Sequence, residues 1–288
     1  MVNHEVSAEV PRVSAAYFEW FGPARPRAPM IIEGAVDDWP ARRRWNAEYL
    51  AEKVGRDTPV VVRILDEKNV CAYRGTTETT FGEYLDAITA DPPRERWYLT
   101  SADLQLPRPK GEEVSPFSRL LDDIALPCGL DPASVERTGV WVGYDGIASN
   151  LHYDLSDNFL VVLSGRKKLT LFGPSLTPYL YPNSLFSDDL IIHSQVDVEA
   201  PDLARFPKFA QAKPLRCTVE PGEILFLPEF FWHHVRSEGL SIAVNVWFRG
   251  PRDPFRLFRR PSRDAVLQAQ LRDASQRLAR LFSGRASG

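Results

Sequence analysis

The sequence lacks any apolar run that approaches the roughly 20 residues needed to span a membrane. Its first residues carry charges and contain no apolar stretch typical of a signal peptide. We therefore expect no membrane association and a cytoplasmic location. Cysteine is also scarce, and the three cysteines form no CxxC pair and no zinc-type spacing. They predict buried or inert thiols in a reducing compartment.

Strong charge of either sign is missing as well. The 288 residues carry a net charge of −3, and the sequence pI is about 6.0. This balance gives no support for general nucleic-acid binding, which favours a basic face. Of the 35 basic residues only seven are lysines, so each lysine within an apolar run is informative. The length and the 44% hydrophobic content allow one large domain or two modest ones.

The first half of the chain alternates signals for helices and strands. Asn46 and Gly55 are a plausible N-cap and C-terminal stop for a helix over "NAEYLAEKV". Thr80 and Glu83 have the spacing of a capping box, which predicts a second helix over "FGEYLDAI". The β-rich stretches "PVVVRIL" and "RWYLTSADL" predict strands, and a short helix is expected around residues 117–124.

From Gly139 to Gly250 short apolar runs recur and are separated by turn residues. The runs are "GVWVGY", "NFLVVLSG", "KKLTLFGP", "DLIIHSQVDV", "LRCTVEPGEILFLPE" and "LSIAVNVWF". Such a series predicts an all-β barrel or sandwich. The last segment is predicted to form an amphipathic helix that either packs on its own barrel or mediates a homodimer. The expected parts are an N-terminal α/β elaboration, a β core and a C-terminal helical segment, over residues 1–136, 137–250 and 251–288.

One His-x-Asp pair precedes a predicted strand. In an extended segment, residues i and i+2 project from the same face, so His152 and Asp154 point the same way. Such a pair can hold a divalent metal, form a simple hydrogen bond or have no joint role.

A further ligand is available after the strand "EILFLP", where His233 and His234 are adjacent. A barrel can bring this segment beside His152. Two histidines and one carboxylate on one side of a metal form the facial triad typical of non-haem Fe(II) oxygenases, which leaves open coordination positions. The residues alone do not choose between the two histidines.

Two polar residues lie in strands that are otherwise apolar. In "KKLTLF", Lys167 shares a face with Leu169 and Leu171. If that face is the interior, Lys167 is a buried cation that requires a partner, either a dicarboxylate co-substrate or a protein carboxylate. In the alternative arrangement Lys168 points inward instead. Asn245, in "SIAVNVWF", predicts a specific hydrogen-bond partner inside the barrel.

These motifs resemble a known family. The stretches "NLHYDLSDNFLVVLSGRKKLTLFGP", "PGEILFLPEFFWHHVRS" and "SIAVNVWFRG" resemble JmjC-type, cupin-like (cupin 8) 2-oxoglutarate oxygenases. Within this family the chain is most similar to small protein hydroxylases such as an asparaginyl hydroxylase. The resemblance covers most of the chain. It implies a double-stranded β-helix (jelly-roll) core with flanking helices, and Fe(II), 2-oxoglutarate and O2 as cofactors.

The resemblance also implies roles for individual residues. The implied iron ligands are His152, Asp154 and His233. The implied 2-oxoglutarate contacts are Lys167, Tyr98, Ser149, Asn158 and Asn245. Ser149 stands where the similar hydroxylase has a threonine, and Trp247 matches an aromatic residue near the pocket.

The expected reaction is hydroxylation of an unactivated C–H on a peptide or protein side chain, with succinate and CO2 as co-products. Hydroxylation of a small metabolite, a biosynthetic peptide or a modified tRNA base remains an alternative, although nucleic acid is the less expected partner. N-methyl demethylation ranks lower. The non-enzyme alternative is a metal-binding cupin scaffold.

Four acidic residues could favour basic substrates if they lined a rim, although a solvated surface is the preferred interpretation. They are Asp157, Asp188, Asp189 and Glu199.

Overall fold

The computed structural model describes residues 9–20, 26–68, 70–71, 75–106, 115–183 and 192–249. Within them, the strands are β1 Arg12–Ser14, β2 Met30–Glu33, β3 Pro59–Ile64, β4 Val70–Cys71, β5 Thr76–Thr80, β6 Trp97–Asp103, β7 Val135–Gly143, β8 Ala148–Ser149, β9 Asp157–Phe172, β10 Leu215–Val219, β11 Ile224–Leu227 and β12 Trp232–Phe248. The α-helices are α1 Ala15–Trp20, α2 Ala41–Arg44, α3 Ala47–Val54 and α4 Phe81–Thr89. Short 3-10 helices span Pro116–Asp123, Pro132–Ser134, Pro174–Tyr179 and Pro207–Gln211.

The predicted C-terminal helix and its homodimer contact fall at residues 251–288, outside the described ranges. In the described part of the chain, no helix combines the length and apolarity needed to cross a bilayer.

The strands form a mixed sheet in the order β1-β2-β11-β9-β12-β7-β6-β3-β5. β10 pairs with β9, and β8 connects β12 to β4. β9 and β12 pair antiparallel over most of their length and form the centre of the fold. This arrangement confirms the predicted jelly-roll core with flanking helices. The N-terminal strands β2 and β6 join the same sheet, and the three-part division at residues 136 and 250 stays a prediction.

The prediction that a turn separates "NFLVVLSG" from "KKLTLFGP" is wrong, because β9 runs without interruption from Asp157 to Phe172. Gly165 bends this strand without ending it. Its φ is +64°, and a β-carbon added there would lie 2.7 Å from the carbonyl oxygen of Glu238. The register between β9 and β12 shifts at the same level, between Glu238 and Ile242. Glycine is required where the two strands approach this closely.

The core lies on both faces of β9. Phe159 and Val161 pack with the N-terminal helices, whereas Leu160 and Val162 pack inside the jelly roll. A strand that is buried on both faces reads as a nearly continuous apolar run, which explains the sequence of this segment.

The local helix signals are confirmed. The Asn46 side chain accepts a hydrogen bond from the Tyr49 amide at 2.9 Å, and Gly55 follows α3 with φ +99°. Thr80 and Glu83 form both bonds of the capping box of α4.

Two predictions change in detail. The short helix expected around residues 117–124 is present as a 3-10 helix over Pro116–Asp123. The run "DLIIHSQVDV" is not a strand in its described residues, 192–198, where His193 and Ser194 form isolated bridges only.

Candidate metal centre

Three side chains from two distant segments converge at one end of the core. His152 and Asp154 follow β8, and His233 is the second residue of β12. One ligand atom from each residue lies within 4.8 Å of those of the other two. The backbones of the two histidines are bonded directly, with His152 N to His233 O at 3.1 Å and His233 N to His152 O at 2.7 Å. Backbone pairing therefore sets the distance between the two imidazoles.

Each imidazole is oriented by a main-chain carbonyl. The Nδ1 of His152 lies 2.7 Å from the carbonyl oxygen of Asn150, and the Nδ1 of His233 lies 2.9 Å from that of Phe231. Because a carbonyl can only accept, both Nδ1 atoms carry the hydrogen, and both Nε2 lone pairs are left for a metal. Burial, with His233 nearby, lowers the pKa of His152 to about 4. The ring is therefore neutral at pH 7, as metal binding requires.

Asp154 is held by a chain of hydrogen bonds. Its Oδ2 accepts from Trp247 Nε1 at 2.9 Å and from Asn158 Nδ2 at 3.2 Å. The Asn158 Oδ1 in turn accepts from Asn245 Nδ2 at 2.9 Å. The interior partner predicted for Asn245 is thus Asn158. Hydrogen-bond donors such as Trp247 and Asn158 fix the orientation of a metal-binding carboxylate.

Two imidazole nitrogens and one carboxylate oxygen make a donor set suited to a divalent transition metal. The combination is typical of non-haem Fe(II) sites, where the remaining coordination positions stay open. The residues present therefore fit the metal that the sequence implied.

A cavity of about 380 Å³ borders the three ligands, and Lys167 lies on its wall. Lys167 is 3% exposed, and its Nζ donates to Ser237 Oγ at 2.7 Å. Among the described residues it forms no ion pair with a carboxylate. Burial lowers the pKa of Lys167 to about 7. Lys168 is exposed and pairs with Glu238, so the alternative in which Lys168 points inward is wrong.

The other predicted co-substrate contacts line the same cavity. They are Tyr98, Ser149, Asn158 and Asn245. The Nζ of Lys167 lies 6.0 Å from the centroid of the Tyr98 ring. A β-carbon on Gly143 would lie 2.8 Å from that ring, so the glycine makes room for it. Ser149 Oγ accepts from the Val235 amide at 3.0 Å.

The two adjacent histidines have different surroundings. His234 points away from the ligand cluster and lies 3.7 Å from a carboxylate oxygen of Glu199. It borders a second cavity, of about 620 Å³, and burial lowers its pKa. The structure therefore brings His233, and not His234, together with His152 and Asp154.

Several contacts were missed at the sequence level. Ser237, the partner of Lys167, shares the inward face of β12 with His233 and Val235, so strand alternation could have identified it. The bond from Trp247 to Asp154 and the Arg137 guanidinium 4.1 Å from the Trp247 ring depend on strand register. No local signal in the sequence reports that register.

A jelly-roll core that presents two histidines and one carboxylate to a cavity is the arrangement typical of non-haem Fe(II) oxygenases. The profile of the family described as cupin-like domain matches residues 22–253. The chain therefore belongs to the cupin-like, JmjC-type family of iron-binding 2-oxoglutarate oxygenases.

Similar proteins carry different names. Lysine-specific demethylase 8 of Xenopus tropicalis is 34% identical over 232 residues, 77% of this chain and 48% of the relative. Lysine-specific demethylase JMJ30 of Arabidopsis thaliana is 30% identical over 77% of this chain and 50% of the relative. tRNA wybutosine-synthesizing protein 5 of Gallus gallus is 26% identical over 77% of this chain and 71% of the relative. The chain spans about half the length of the first two relatives.

Proposed function

We propose that this protein is an Fe(II)- and 2-oxoglutarate-dependent oxygenase that hydroxylates an unactivated C–H on a peptide or protein side chain. One observation carries the proposal. The three candidate ligands border the same cavity as a buried lysine that has no carboxylate partner among the described residues. When bound, the metal, 2-oxoglutarate and O2 supply the oxidising chemistry and release succinate and CO2.

The protein's own residues hold and orient these groups. His152, Asp154 and His233 would bind the metal, and the carbonyl contacts of both rings restrict their rotation. Lys167 and Tyr98 would bind the distal carboxylate of 2-oxoglutarate. A charge-assisted hydrogen bond there would offset the cost of burying the ammonium group.

Three further residues would position the co-substrate beside the metal. Ser149, Asn158 and Asn245 place a hydroxyl and two amides on the cavity wall. Asn158 contacts both Asp154 and Asn245, so it connects the metal ligand to the co-substrate pocket.

The names of the relatives support two substrate classes. Two relatives are named as demethylases of lysine, which supports a peptide or protein substrate. A modified tRNA base is the second candidate, because another relative is named as a tRNA wybutosine-synthesizing protein. Demethylation is a variant of the same chemistry, since it begins with hydroxylation of an N-methyl group.

Turnover of 2-oxoglutarate tests the reaction class. Purified protein with Fe(II), 2-oxoglutarate and O2 should form succinate, measured by NMR, and His152→Ala should reduce the rate at least about a hundredfold because a ligand is lost. His234→Gln is the matched control and should retain turnover. Succinate formed at the wild-type rate by His152→Ala would exclude the proposed metal site.

Mass spectrometry of a peptide pool tests the outcome of the reaction. Hydroxylation adds one oxygen to a peptide in a 2-oxoglutarate-dependent manner. Loss of a methyl group with release of formaldehyde would instead identify demethylation. A change seen only in added tRNA would favour the second substrate class.

A further inference from the structure

The position of the Lys167 ammonium group depends on one side chain. Lysine has a flexible stem of four carbons, so the place of its charge is set by the partners of that charge. Within the described residues, the one hydrogen bond of Lys167 Nζ goes to Ser237 Oγ, at 2.7 Å. Ser237 is 2% exposed, and both residues line the cavity of the candidate metal centre. Ser237 therefore determines where the positive charge lies.

Strand pairing builds this contact into the fold. Lys167 on β9 and Ser237 on β12 lie directly opposite each other. The Ser237 N–H donates to the carbonyl oxygen of Ile147 at 2.8 Å, and the Ser237 carbonyl accepts from the Gly146 amide at 3.0 Å. Both backbone groups of Ser237 therefore point away from β9. In an antiparallel sheet, the side chains of such a non-hydrogen-bonded pair lie close together.

The strand that carries Ser237 also carries a metal ligand. His233, Val235 and Ser237 line the cavity from one face of β12. Four residues separate His233 from Ser237, which corresponds to about 13 Å along an extended strand. The candidate metal and the anchor of the ammonium group are therefore held at a fixed separation by one strand.

The described residues supply no carboxylate to this ammonium group. Asp154 is the one carboxylate among them that lines the cavity, and its Oδ2 accepts from Trp247 and Asn158. Glu199, one of the acidic residues considered for a substrate-binding rim, forms an ion pair with Arg236 instead. The countercharge of Lys167 must therefore come from a bound molecule.

Three further acidic residues belong to the set considered for that rim. Asp157 is buried and accepts from the Glu229 amide at 3.0 Å, so its assignment to a solvated surface is wrong. Asp188 and Asp189 lie outside the described residues. The described members of the set thus give no support for a rim that favours basic substrates.

We propose that Ser237 is a positioning residue that fixes the Lys167 ammonium group and thereby sets the length of the co-substrate. This inference rests on the proposed oxygenase function. A 2-oxo diacid would reach the metal with its 2-oxo acid end and Lys167 with its distal carboxylate. Because β9 and β12 fix both contact points, only a diacid of matching length satisfies both of them. The five-carbon 2-oxoglutarate is the expected match.

Loss of the Ser237 hydroxyl should relax this selection. Alanine cannot accept a hydrogen bond, so the ammonium group of Ser237→Ala would lose its fixed position and adapt to a diacid of another length. The affinity for 2-oxoglutarate should fall, because the lysine side chain must then be ordered when the ligand binds.

The test measures binding to protein loaded with Zn(II), so that no turnover occurs. Calorimetric titrations compare 2-oxoglutarate with 2-oxoadipate, which is one carbon longer, and with 2-oxovalerate, which lacks the distal carboxylate. The wild type should bind 2-oxoglutarate at least about tenfold more tightly than either of the other two acids. Equal binding of the two diacids by the wild type would overturn the inference.

Ser237→Ala should change this pattern in one direction. Its affinity for 2-oxoglutarate should fall about tenfold, and its preference for 2-oxoglutarate over 2-oxoadipate should shrink to less than about threefold. Its affinity for 2-oxovalerate should stay at the wild-type value, because that ligand does not reach the ammonium group. Unchanged 2-oxovalerate binding also shows that the variant is folded. An equal loss for 2-oxovalerate would indicate a general change of the cavity and overturn the inference.

A second serine of β12 provides the matched control. Ser241 is fully buried, its Oγ has no hydrogen-bond partner among the described residues, and it does not line the cavity. Ser241→Ala makes the same chemical change on the same strand. This control should leave the affinities for all three acids unchanged.

A double variant tests whether Ser237 acts through Lys167. In a Lys167→Met background, adding Ser237→Ala should change the affinity for 2-oxoglutarate by less than about twofold, because the group that Ser237 positions is already absent. A further loss as large as that in the wild type would show that Ser237 acts independently of Lys167, and the positioning role would be wrong.

Succinate formation by the wild type separates this inference from the proposed function. If the wild type forms succinate and Ser237→Ala keeps the wild-type preference between the two diacids, the inference alone fails. If the wild type neither binds 2-oxoglutarate nor forms succinate, the proposed function fails and the inference fails with it.

Discussion

At the scale of the residue, Lys167 is in conflict with the apolar interior around it. Its ammonium group is 3% exposed and has one described hydrogen bond, to Ser237. Burying a charge without an opposite charge costs several kcal/mol. A protein retains such a group where a ligand supplies the missing charge, which is the role we propose for 2-oxoglutarate.

Replacing Lys167 should reveal this cost. The pKa of Lys167 falls from an ordinary 10.5 to about 7 in the folded protein. At pH values between these two pKa values, the unfolded chain binds more protons than the folded protein does. The free energy of unfolding of the wild type therefore rises with pH, by about 1.4 kcal/mol per pH unit. Without ligands, Lys167→Met should therefore be more stable than the wild type at pH 6, and this advantage should shrink as pH rises from about 7 toward 10.5. Denaturant unfolding at several pH values measures the difference.

The exposed neighbour provides the control for that titration. Lys168→Met removes the same charge from the solvent-facing side of β9. Because its ion pair with Glu238 is exposed, this variant should differ from the wild type by no more than about 1 kcal/mol in the free energy of unfolding at pH 6. A parallel response of both variants would show that the charge of Lys167 is not specifically destabilised.

Trp247 should act on the metal through Asp154. Trp247→Phe keeps an aromatic side chain but replaces the indole, and so removes the N–H that donates to Asp154 Oδ2. We expect metal affinity to fall about 10–100-fold, as is usual when the partner of a ligand is lost. Titration of the apoprotein with Mn(II), followed by electron paramagnetic resonance, measures the change.

A second tryptophan, Trp45, provides the control for that experiment. The Nε1 of Trp45 also donates to a buried carboxylate, Asp123, at 3.1 Å, in the core behind the N-terminal helices. Trp45→Phe should lower stability and leave metal affinity unchanged. Equal loss of affinity in both variants would assign the effect to general loosening of the fold.

At the scale of the element, the close pairing of β9 and β12 positions the site. This pairing places Lys167 opposite Ser237 and Leu171 opposite His233. The bend at Gly165 lies two residues before Lys167, so it affects both the strand path and the cavity wall.

Gly165→Ala should be strongly destabilising. The added β-carbon would meet the carbonyl oxygens of Glu238 and Leu240 at 2.7 and 2.8 Å, in addition to the cost of a left-handed φ. We expect a loss of more than about 2 kcal/mol in the free energy of unfolding. Gly129→Ala is the control, because its φ is +58° and nothing lies within 4 Å of the added atom. Gly129→Ala should lower the free energy of unfolding by only about 1 kcal/mol, the cost of a left-handed φ. Equal losses in the two variants would contradict the steric argument.

At the scale of the whole molecule, the metal should connect distant parts of the chain. His152 and Asp154 enter from the segment after β8, and His233 from β12. A ligand that binds only the folded state raises stability, by about 2.7 kcal/mol at a hundredfold excess over its Kd. Mn(II) should thus raise the melting temperature of the wild type, and a chelator should reverse the shift. His234→Gln should keep this response and His152→Ala should lose it; an equal shift in both variants would place the metal elsewhere.

The amount that could be predicted differs between these scales. The cap of α3 and the capping box of α4 depend on residues three positions apart, so the sequence alone was sufficient for them. Strand alternation placed Lys167 and Lys168 on opposite faces of the strand, and the structure decided that Lys167 faces inward. The continuity of β9 was missed because Gly165 reads as a turn unless the facing strand is known.

By itself, the sequence determined the jelly-roll class, the family and the residue types of the candidate site, because apolar alternation, turn residues and the His-x-Asp motif are local patterns. Only the tertiary structure showed how backbone pairing brings His233 beside His152 and which hydrogen bonds hold Asp154. The physical reason is register: strand pairing brings together residues far apart in sequence, and a shift of one position would turn each side chain to the opposite face.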